Sequence, residues 1–153
     1  MVIIQNKNGF RNYQILEKYN AGIELFGFEV KSLLAGRGSL KGAYVSFDPK
    51  KNKKELFLKN FYIPPYQEKN TPAGYDPYRE RKLLLNRGEI NHLINQLRQP
   101  GLTIIPLRVY NQNRLIKIEI ALVKGLKKFE KRELIKKREF ERKKQKWLKS
   151  SLR

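Results

Sequence analysis

Apolar and polar positions along the chain alternate in two different periods. Tyr13, Ile15, Glu17 and Tyr19 interleave with Gln14, Leu16 and Lys18, a period of two that predicts a strand. Ile23, Leu25 and Phe26 carry extended structure on across Gly22 and Gly27. Residues 29–36 (EVKSLLAG) predict a short helix with Gly36 as its stop. Residues 43–47 and 55–63 flank the turn residues 48–52 (DPKKN), which predicts a hairpin ended by Pro64-Pro65. Residues 66–80 are rich in Pro, Gly, Asn and Asp and predict a long loop. Loops of that length in a compact domain are usually functional or mobile. Asn86 followed by Glu89 is a capping-box pattern. Ile90, Leu93, Ile94 and Leu97 then recur at i, i+3, i+4 and i+7, the stripe of an amphipathic helix that Pro100-Gly101 stops. His92 falls opposite that stripe, which predicts a solvated surface histidine. Residues 103–110 contain Pro106 and predict an edge or bulged strand. After the turn residues 111–113, Ile116, Ile118, Ile120 and Leu122 share one face of a last strand, opposite Lys117, Glu119 and Ala121.

About six short strands with few helices predict a small closed or partly open barrel, because closure removes exposed edges. No internal repeat is present. Charge divides the chain. It carries 34 Lys+Arg against 14 Asp+Glu, a net +20. Residues 1–123 hold 20 Lys+Arg and 10 Asp+Glu, and residues 124–153 hold 14 and 4, so each part is +10. The break predicts a globular part over 1–123 and a basic tail over 124–153. The tail has strong helix formers, no Pro, and i, i+4 pairs at Glu133–Lys137 and Glu139–Lys143. Phe129, Phe140 and Trp147 make only a thin apolar stripe. Self-repulsion and so thin a stripe predict a tail disordered when free and helical once a polyanion neutralises it.

The basic excess points to nucleic acid first and an anionic membrane second. The tail's thin apolar face makes insertion into a membrane weak. No apolar run exceeds four residues, and Met1–Lys7 is too soon polar for a signal peptide, so a soluble intracellular protein is expected. The absence of Cys excludes Cys-ligated zinc, iron–sulfur clusters and thiol catalysis. With one His and two Asp, nothing in the spacing suggests a Ser–His–Asp triad. The segment 36–42 (GRGSLKG) fails the Walker pattern, because Ala43 follows Gly42. It reads as a helix stop and loop, and a basic loop touching an RNA backbone stays open. Arg79, Arg81 and Lys82 lead into Leu83-Leu84-Leu85, either as a solubilising flank or as phosphate contacts. Tyr62, Tyr66, Tyr75 and Tyr78 lie near them in sequence and could stack bases or fill the barrel.

Ordered motifs along nearly the whole chain carry a resemblance. They are Asn6-Lys7, residues 13–16 (YQIL), Ala21-Gly22, residues 27–33 (GFEVKSL), Ala35-Gly36 and residues 43–45 (AYV). Further on come Ile63 and Pro65-Tyr66, Asp76-Pro77, Arg79 with residues 81–86 (RKLLLN), residues 101–103 (GLT), Ala121 with Lys124-Gly125, and Lys131-Arg132, Ile135-Lys136 and Arg138-Glu139. In order and spacing the chain resembles the SmpB family, the SsrA-binding proteins of bacterial trans-translation. The resemblance implies a mainly β, antiparallel, OB-like six-stranded barrel with about three helices and the basic tail. It implies a cytoplasmic bacterial RNA-binding protein, not an enzyme, with neither cofactor nor metal. The implied partners are the tRNA-like part of tmRNA, elongation factor Tu indirectly through tmRNA, and small-subunit rRNA at the ribosomal decoding centre. The tail would enter the empty mRNA channel of a stalled ribosome. The implied tmRNA contacts are Asn6, Lys7, Arg11, Lys31, Ser32, Arg37, Arg79, Arg81, Lys82 and Leu83. The implied ribosome contacts are Lys127, Glu130, Lys131, Arg132, Ile135, Lys136 and Arg138. Glu29 is the alternative case, a residue that orients a neighbouring Lys or Arg. Asn8-Gly9, Asn20, Leu126, Phe129 and Glu130 depart from the family pattern. The competing readings are an OB-like ribosomal protein or translation factor that binds rRNA, and a generic RNA chaperone.

Overall fold

The structure is a computed structural model that describes residues 1–7, 11–125 and 128–151, the last segment with side chains at 136–149. Its elements are β1 (Val2–Gln5), β2 (Tyr13–Ile23), α1 (Gly27–Leu34), β3 (Tyr44–Ser46), β4 (Leu56–Lys59), β5 (Arg81–Leu84), α2 (Arg87–Leu97), β6 (Leu102–Gln112), β7 (Leu115–Gly125) and α3 (Lys128–Ser151). A single 3₁₀ turn, Glu68–Asn70, interrupts the loop expected over 66–80.

Six strands close a ring: β6 pairs with β3, β3 with β4, β4 with β5, β5 with β2, β2 with β7, and β7 with β6. Every pairing is antiparallel. The expected six-stranded barrel is therefore present, and β1 is a seventh strand outside the ring. It pairs with β6 at Arg108–Tyr110, while β3 meets the same edge at Ile104. The closed ring leaves β6 no free edge, so Pro106 is housed the other way: the β6–β7 register shifts between Pro106 and Arg108. A second shift lies between Ile15 and Glu17 on β2. Such bulges bend a strand and raise its twist, which helps close so small a sheet. The β6–β7 hairpin turns on Asn113 and Arg114, both left-handed with φ of 50° and 66°, as a two-residue hairpin loop requires.

Leu33, Leu56, Leu58, Phe61, Ile63, Ile104, Ile118 and Ile120 are all fully buried and form the centre of the core. The predicted helix over 90–97 is α2. Asn86 Oδ1 accepts the Glu89 N–H at 2.8 Å, Leu93 and Ile94 are buried, and Ile90 and Leu97 pack at the core margin. His92 lies at the surface as expected, its side chain 43% exposed, and its Nε2 lies 2.9 Å from Glu17 Oε2, a contact that ties α2 to β2. Ala121 takes the face opposite Ile118 and Ile120, as expected, and is buried there with Ile105 and Val123 in a second small cluster against Tyr13, Ile15 and Leu107. β7 continues to Gly125, paired to Tyr13, two residues past the composition break. α3 lies in the tail, for which the sequence predicts disorder when free and a helix once a polyanion neutralises it, and its described side chains from 136 to 149 are exposed except half-buried Arg138.

Candidate nucleic-acid interface

A buried ion network at the start of α1 fixes one end of the barrel. Glu29 sits in the first turn of α1, and its Oε1 accepts the Phe26 N–H at 2.8 Å. Both Glu29 and Arg81 are fully buried. Arg81, on the first position of β5, gives Nε and Nη2 to Glu29 Oε2 at 2.8 and 2.6 Å. Its Nη1 donates to the carbonyls of Phe61 at 2.6 Å and Arg79 at 3.0 Å, and Nη2 also lies 3.1 Å from the Pro77 carbonyl. The Tyr75 hydroxyl lies 2.9 Å from both Glu29 Oε2 and the Ile63 carbonyl. Arg79 closes the network from outside: Nε donates to Glu29 Oε2 at 3.1 Å, Nη2 donates to Oε1, and the guanidinium lies 4.0 Å from the Phe26 ring centroid.

A buried charge is tolerable only when it is paired and hydrogen-bonded. Here one carboxylate faces two guanidiniums. Burial pushes the Glu29 carboxyl up, but the hydrogen bonds from Arg79 and the Phe26 N–H, with the charge of Arg81, outweigh it. The carboxyl is held below its ordinary value. Burial and the hydrogen bond to Glu29 push the Tyr75 hydroxyl up to about 12.

This network corrects part of the expected contact set. Arg81 and Leu83 are buried inside the barrel wall and present no side chain to a ligand. Ser32 is buried and donates its hydroxyl to the Pro64 carbonyl at 2.6 Å. Asn6 is buried, and Nδ2 donates to the Pro106 carbonyl at 2.9 Å. Arg81, Ser32 and Asn6 hold neighbouring backbone in place, and Leu83 belongs to the hydrophobic core. Glu29 does what the alternative reading allows, orienting Arg79 and Arg81.

Of the cations in the expected tmRNA contact set, Lys7, Arg11, Lys31 and Arg37 are exposed. Lys31 lies on α1, and Arg37, on the glycine loop, meets the aromatic loop 62–78. Arg37 Nη1 donates to the Tyr66 carbonyl at 3.4 Å, and its guanidinium lies 5.9 Å from the Tyr66 ring centroid. The Tyr62 and Tyr78 rings lie 5.1 Å apart, and Ser39 and Tyr62 exchange backbone hydrogen bonds that bind the two loops together. Gly38 sits where they meet. Its φ is 146°, and a Cβ there would lie 2.9 Å from Ile4 Cδ1 and 3.1 Å from the Tyr62 carbonyl. Lys7 lines a different hollow with Lys18 and Arg108. Lys82, the residue after Arg81 on β5, is half-buried and pairs with Glu55 at 3.5 Å. In the tail Lys136 is exposed and Arg138 half-buried. Lys127 lies outside the described residues, as do the side chains of Glu130, Lys131, Arg132 and Ile135.

Phe26, half exposed beneath Arg79, escapes sequence reasoning, which assigns it to an extended run. The signal available is an aromatic just before the Gly27 that opens α1. The arrangement can hold phosphates on cations and stack bases on rings. Among the described residues, no group of three or more His, Asp or Glu could hold a metal ion, and no helix is long and apolar enough to cross a membrane.

Three comparisons meet this geometry. The family model described as SmpB protein matches residues 3–150. A relative from Persephonella marina, an SsrA-binding protein, is 47% identical over 144 residues, 92% of this chain and 90% of that protein. SsrA-binding proteins of a Sulfurihydrogenibium species and of Nitrosomonas europaea are 46% and 45% identical. The first spans 99% of this chain and 97% of its own, and the second 97% and 95%. A chain from a solved structure described as "tmRNA-SmpB: a journey to the center of the bacterial ribosome" superposes with a TM-score of 0.65 at 38% identity, over 86% of this chain and 93% of that one.

Proposed function

We propose a function from one premise: this chain belongs to the SmpB family. It binds the tRNA-like part of tmRNA, and it carries that RNA to stalled ribosomes in trans-translation. Its work is recognition, with no bond made or broken by the protein. The observation that carries the reading is the basic and aromatic surface where Arg37 meets Tyr66 and the Ser39–Tyr62 bridge brings in Tyr62 and Tyr78. Cations there would position the RNA backbone, and the rings would meet unstacked bases of an RNA elbow. Glu29, Arg81 and Ser32 act as positioning residues beside that surface, and Asn6 does the same for the backbone around Lys7. Lys7, Arg11 and Lys82 would contact RNA further round the barrel. The tail, with Lys127, Glu130, Lys131, Arg132, Ile135, Lys136 and Arg138, would seat on small-subunit rRNA in the empty mRNA channel. Elongation factor Tu would join through tmRNA, and the place of action would be the bacterial cytoplasm.

The test is a titration with the tRNA-like fragment of tmRNA against bulk tRNA and an unrelated hairpin, at two salt concentrations. Binding that survives excess tRNA and moderate salt is expected. K31A/R37A should weaken it by tenfold or more with an unchanged melting temperature, since neither side chain is buried. Equal affinity for all three RNAs, collapsing together with salt, would overturn the reading.

A further inference from the structure

Arg79 is held in a way that suits a flat surface better than a phosphate clamp. Its Nε and Nη2 both donate to Glu29, so the fork that would grip a phosphate already holds a carboxylate. Nη1 donates to the Glu80 carbonyl at 3.4 Å. One face of the guanidinium lies over the Phe26 ring, 4.0 Å from its centroid. The largest part left for a ligand is the opposite face, and the side chain is 26% exposed. An arginine fixed at its edges and backed by a ring cannot swing out to follow a phosphate without breaking those contacts.

Arg79 and Phe26 line an open hollow of about 390 Å³, a volume in the range of small-ligand sites. Phe28 and Tyr75 continue its aromatic wall, packed edge to face with ring centroids 4.8 Å apart. The Tyr75 hydroxyl is tied to Glu29 and the Ile63 carbonyl, so that wall is set before any ligand arrives. The charged residues of the lining are Arg79 and Asp76, one of each sign. The hollow beside Lys7 differs, because it gathers Lys7, Lys18 and Arg108 against Glu119 alone. In a chain of net charge +20, an aromatic hollow whose own charges cancel is not built for phosphate. Asp76 Oδ1 accepts the Tyr78 N–H at 2.9 Å. A carboxylate has about four acceptor positions, so Asp76 keeps room for the N–H groups on the edge of a base, and it repels a phosphate.

We infer, building on the RNA-binding reading above, that this hollow takes one unstacked base of the bound RNA, laid on the outer face of Arg79 with its polar edge toward Asp76. Arg79 is then a stacking surface that selects a splayed-out base, where the sequence suggests a phosphate contact. Sequence-specific RNA recognition works mostly on such bases, stacked on rings or on guanidinium planes. Phosphate contacts place an RNA without reading it, so this hollow supplies a selectivity that Arg37 and the other exposed cations cannot.

The experiment titrates the full chain with the tRNA-like fragment at several salt concentrations. R79K keeps the positive charge beside Glu29 and loses the plane. It should weaken binding about tenfold, within the range that one stacked base contributes. R79Q removes the charge as well and should weaken binding by as much. Its slope of log affinity against log salt should match wild type, since no phosphate contact is lost. F26L takes away the ring behind Arg79, keeps the backbone N–H that Glu29 accepts, and should weaken binding threefold or more. D76N keeps the acceptor for the Tyr78 N–H but accepts less well from a base, so affinity should fall. R79K binding within twofold of wild type would overturn the inference. An R79Q slope flatter by about one unit would do the same, because it marks a phosphate contact. Should R79K also lower the melting temperature, F26L decides, and unchanged affinity there overturns the stacking role. Tighter binding by D76N would mean that phosphate passes Asp76 and would overturn the contact with a base edge. A wild-type chain that binds no RNA would overturn the proposed function and this inference together, whereas the variant outcomes overturn this inference alone.

Discussion

Residues 1–123 and residues 124–153 carry equal net charge, +10 each, and the barrel and α3 dispose of it in opposite ways. In the barrel, Arg81 is sealed against Glu29, Arg79 covers the same carboxylate, Lys82 meets Glu55 and Arg108 meets Glu119. In α3 the described cations, Lys136, Lys137, Arg142, Lys143, Lys144, Lys146 and Lys149, are exposed, and Arg138 is half-buried. Charge inside the barrel therefore fixes geometry, and charge on the helix is held available for an outside polyanion. The first kind is expensive to disturb and insensitive to salt. The second costs little to alter and depends on salt, because exposed charges beyond a Debye length are screened.

The sharpest way to break the comparison is to separate the two parts. Truncation after Gly125 keeps the closed ring, since β7 ends there. The truncated protein should melt within a few degrees of the full chain and bind the tRNA-like fragment within about threefold. Tagging on stalled ribosomes in a reconstituted translation system should fall to background. Tagging that persists would place the ribosome contacts on the barrel.

The next largest effect lies inside the barrel. Glu29→Gln keeps the shape and removes the charge that compensates Arg79 and Arg81. Breaking a buried pair from one side strands the other ion, at about 3–5 kcal/mol. Denaturant unfolding of the variant should show that destabilisation, and tmRNA affinity should fall with it as Arg79 is released. A change below about 1 kcal/mol, the range of surface pairs, would mean that water reaches the network. The same reasoning makes Arg81→Ala a stability variant, where the sequence alone suggests a clean test of RNA binding.

Arg81 also marks where legibility stops. Arg79-x-Arg81-Lys82 looks like any basic patch, because its partner Glu29 lies 52 residues away from Arg81 and nothing local announces it. Strand β1 escapes for a different reason: Val2-Ile3-Ile4 is an unalternating apolar run of three residues, too short to carry a period. The helical period puts His92 on the right side of α2, away from its stripe, but its contact with Glu17 spans 75 residues. Local chemistry, by contrast, reads true. The Asn86–Glu89 cap, the stop at Gly36 with φ of 76° and the disturbed pairing at Pro106 all follow from one or two residues acting on their own backbone. Lys53 and Lys54 are legible only as part of a turn, because their convergence with Arg87 and Lys117 is made by the closed barrel.

The smallest effect sharpens the comparison through pH. Glu29 has its folded pKa below the ordinary 4.5, so the folded state binds its proton less tightly than the unfolded chain does. Its contribution to stability is therefore complete above the unfolded value. It is lost progressively as pH falls from there through the lower folded value. Glu29→Gln has no proton to bind at that position and lacks this dependence. The stability gap between wild type and variant should be constant near neutrality and narrow steadily below about pH 4.5. Equilibrium unfolding of both proteins from pH 7 to pH 3 measures it directly. A gap that stays constant to pH 3 would show that the carboxylate charge is not what Arg79 and Arg81 require. The network would then be a matter of hydrogen-bond geometry, which the glutamine amide partly preserves.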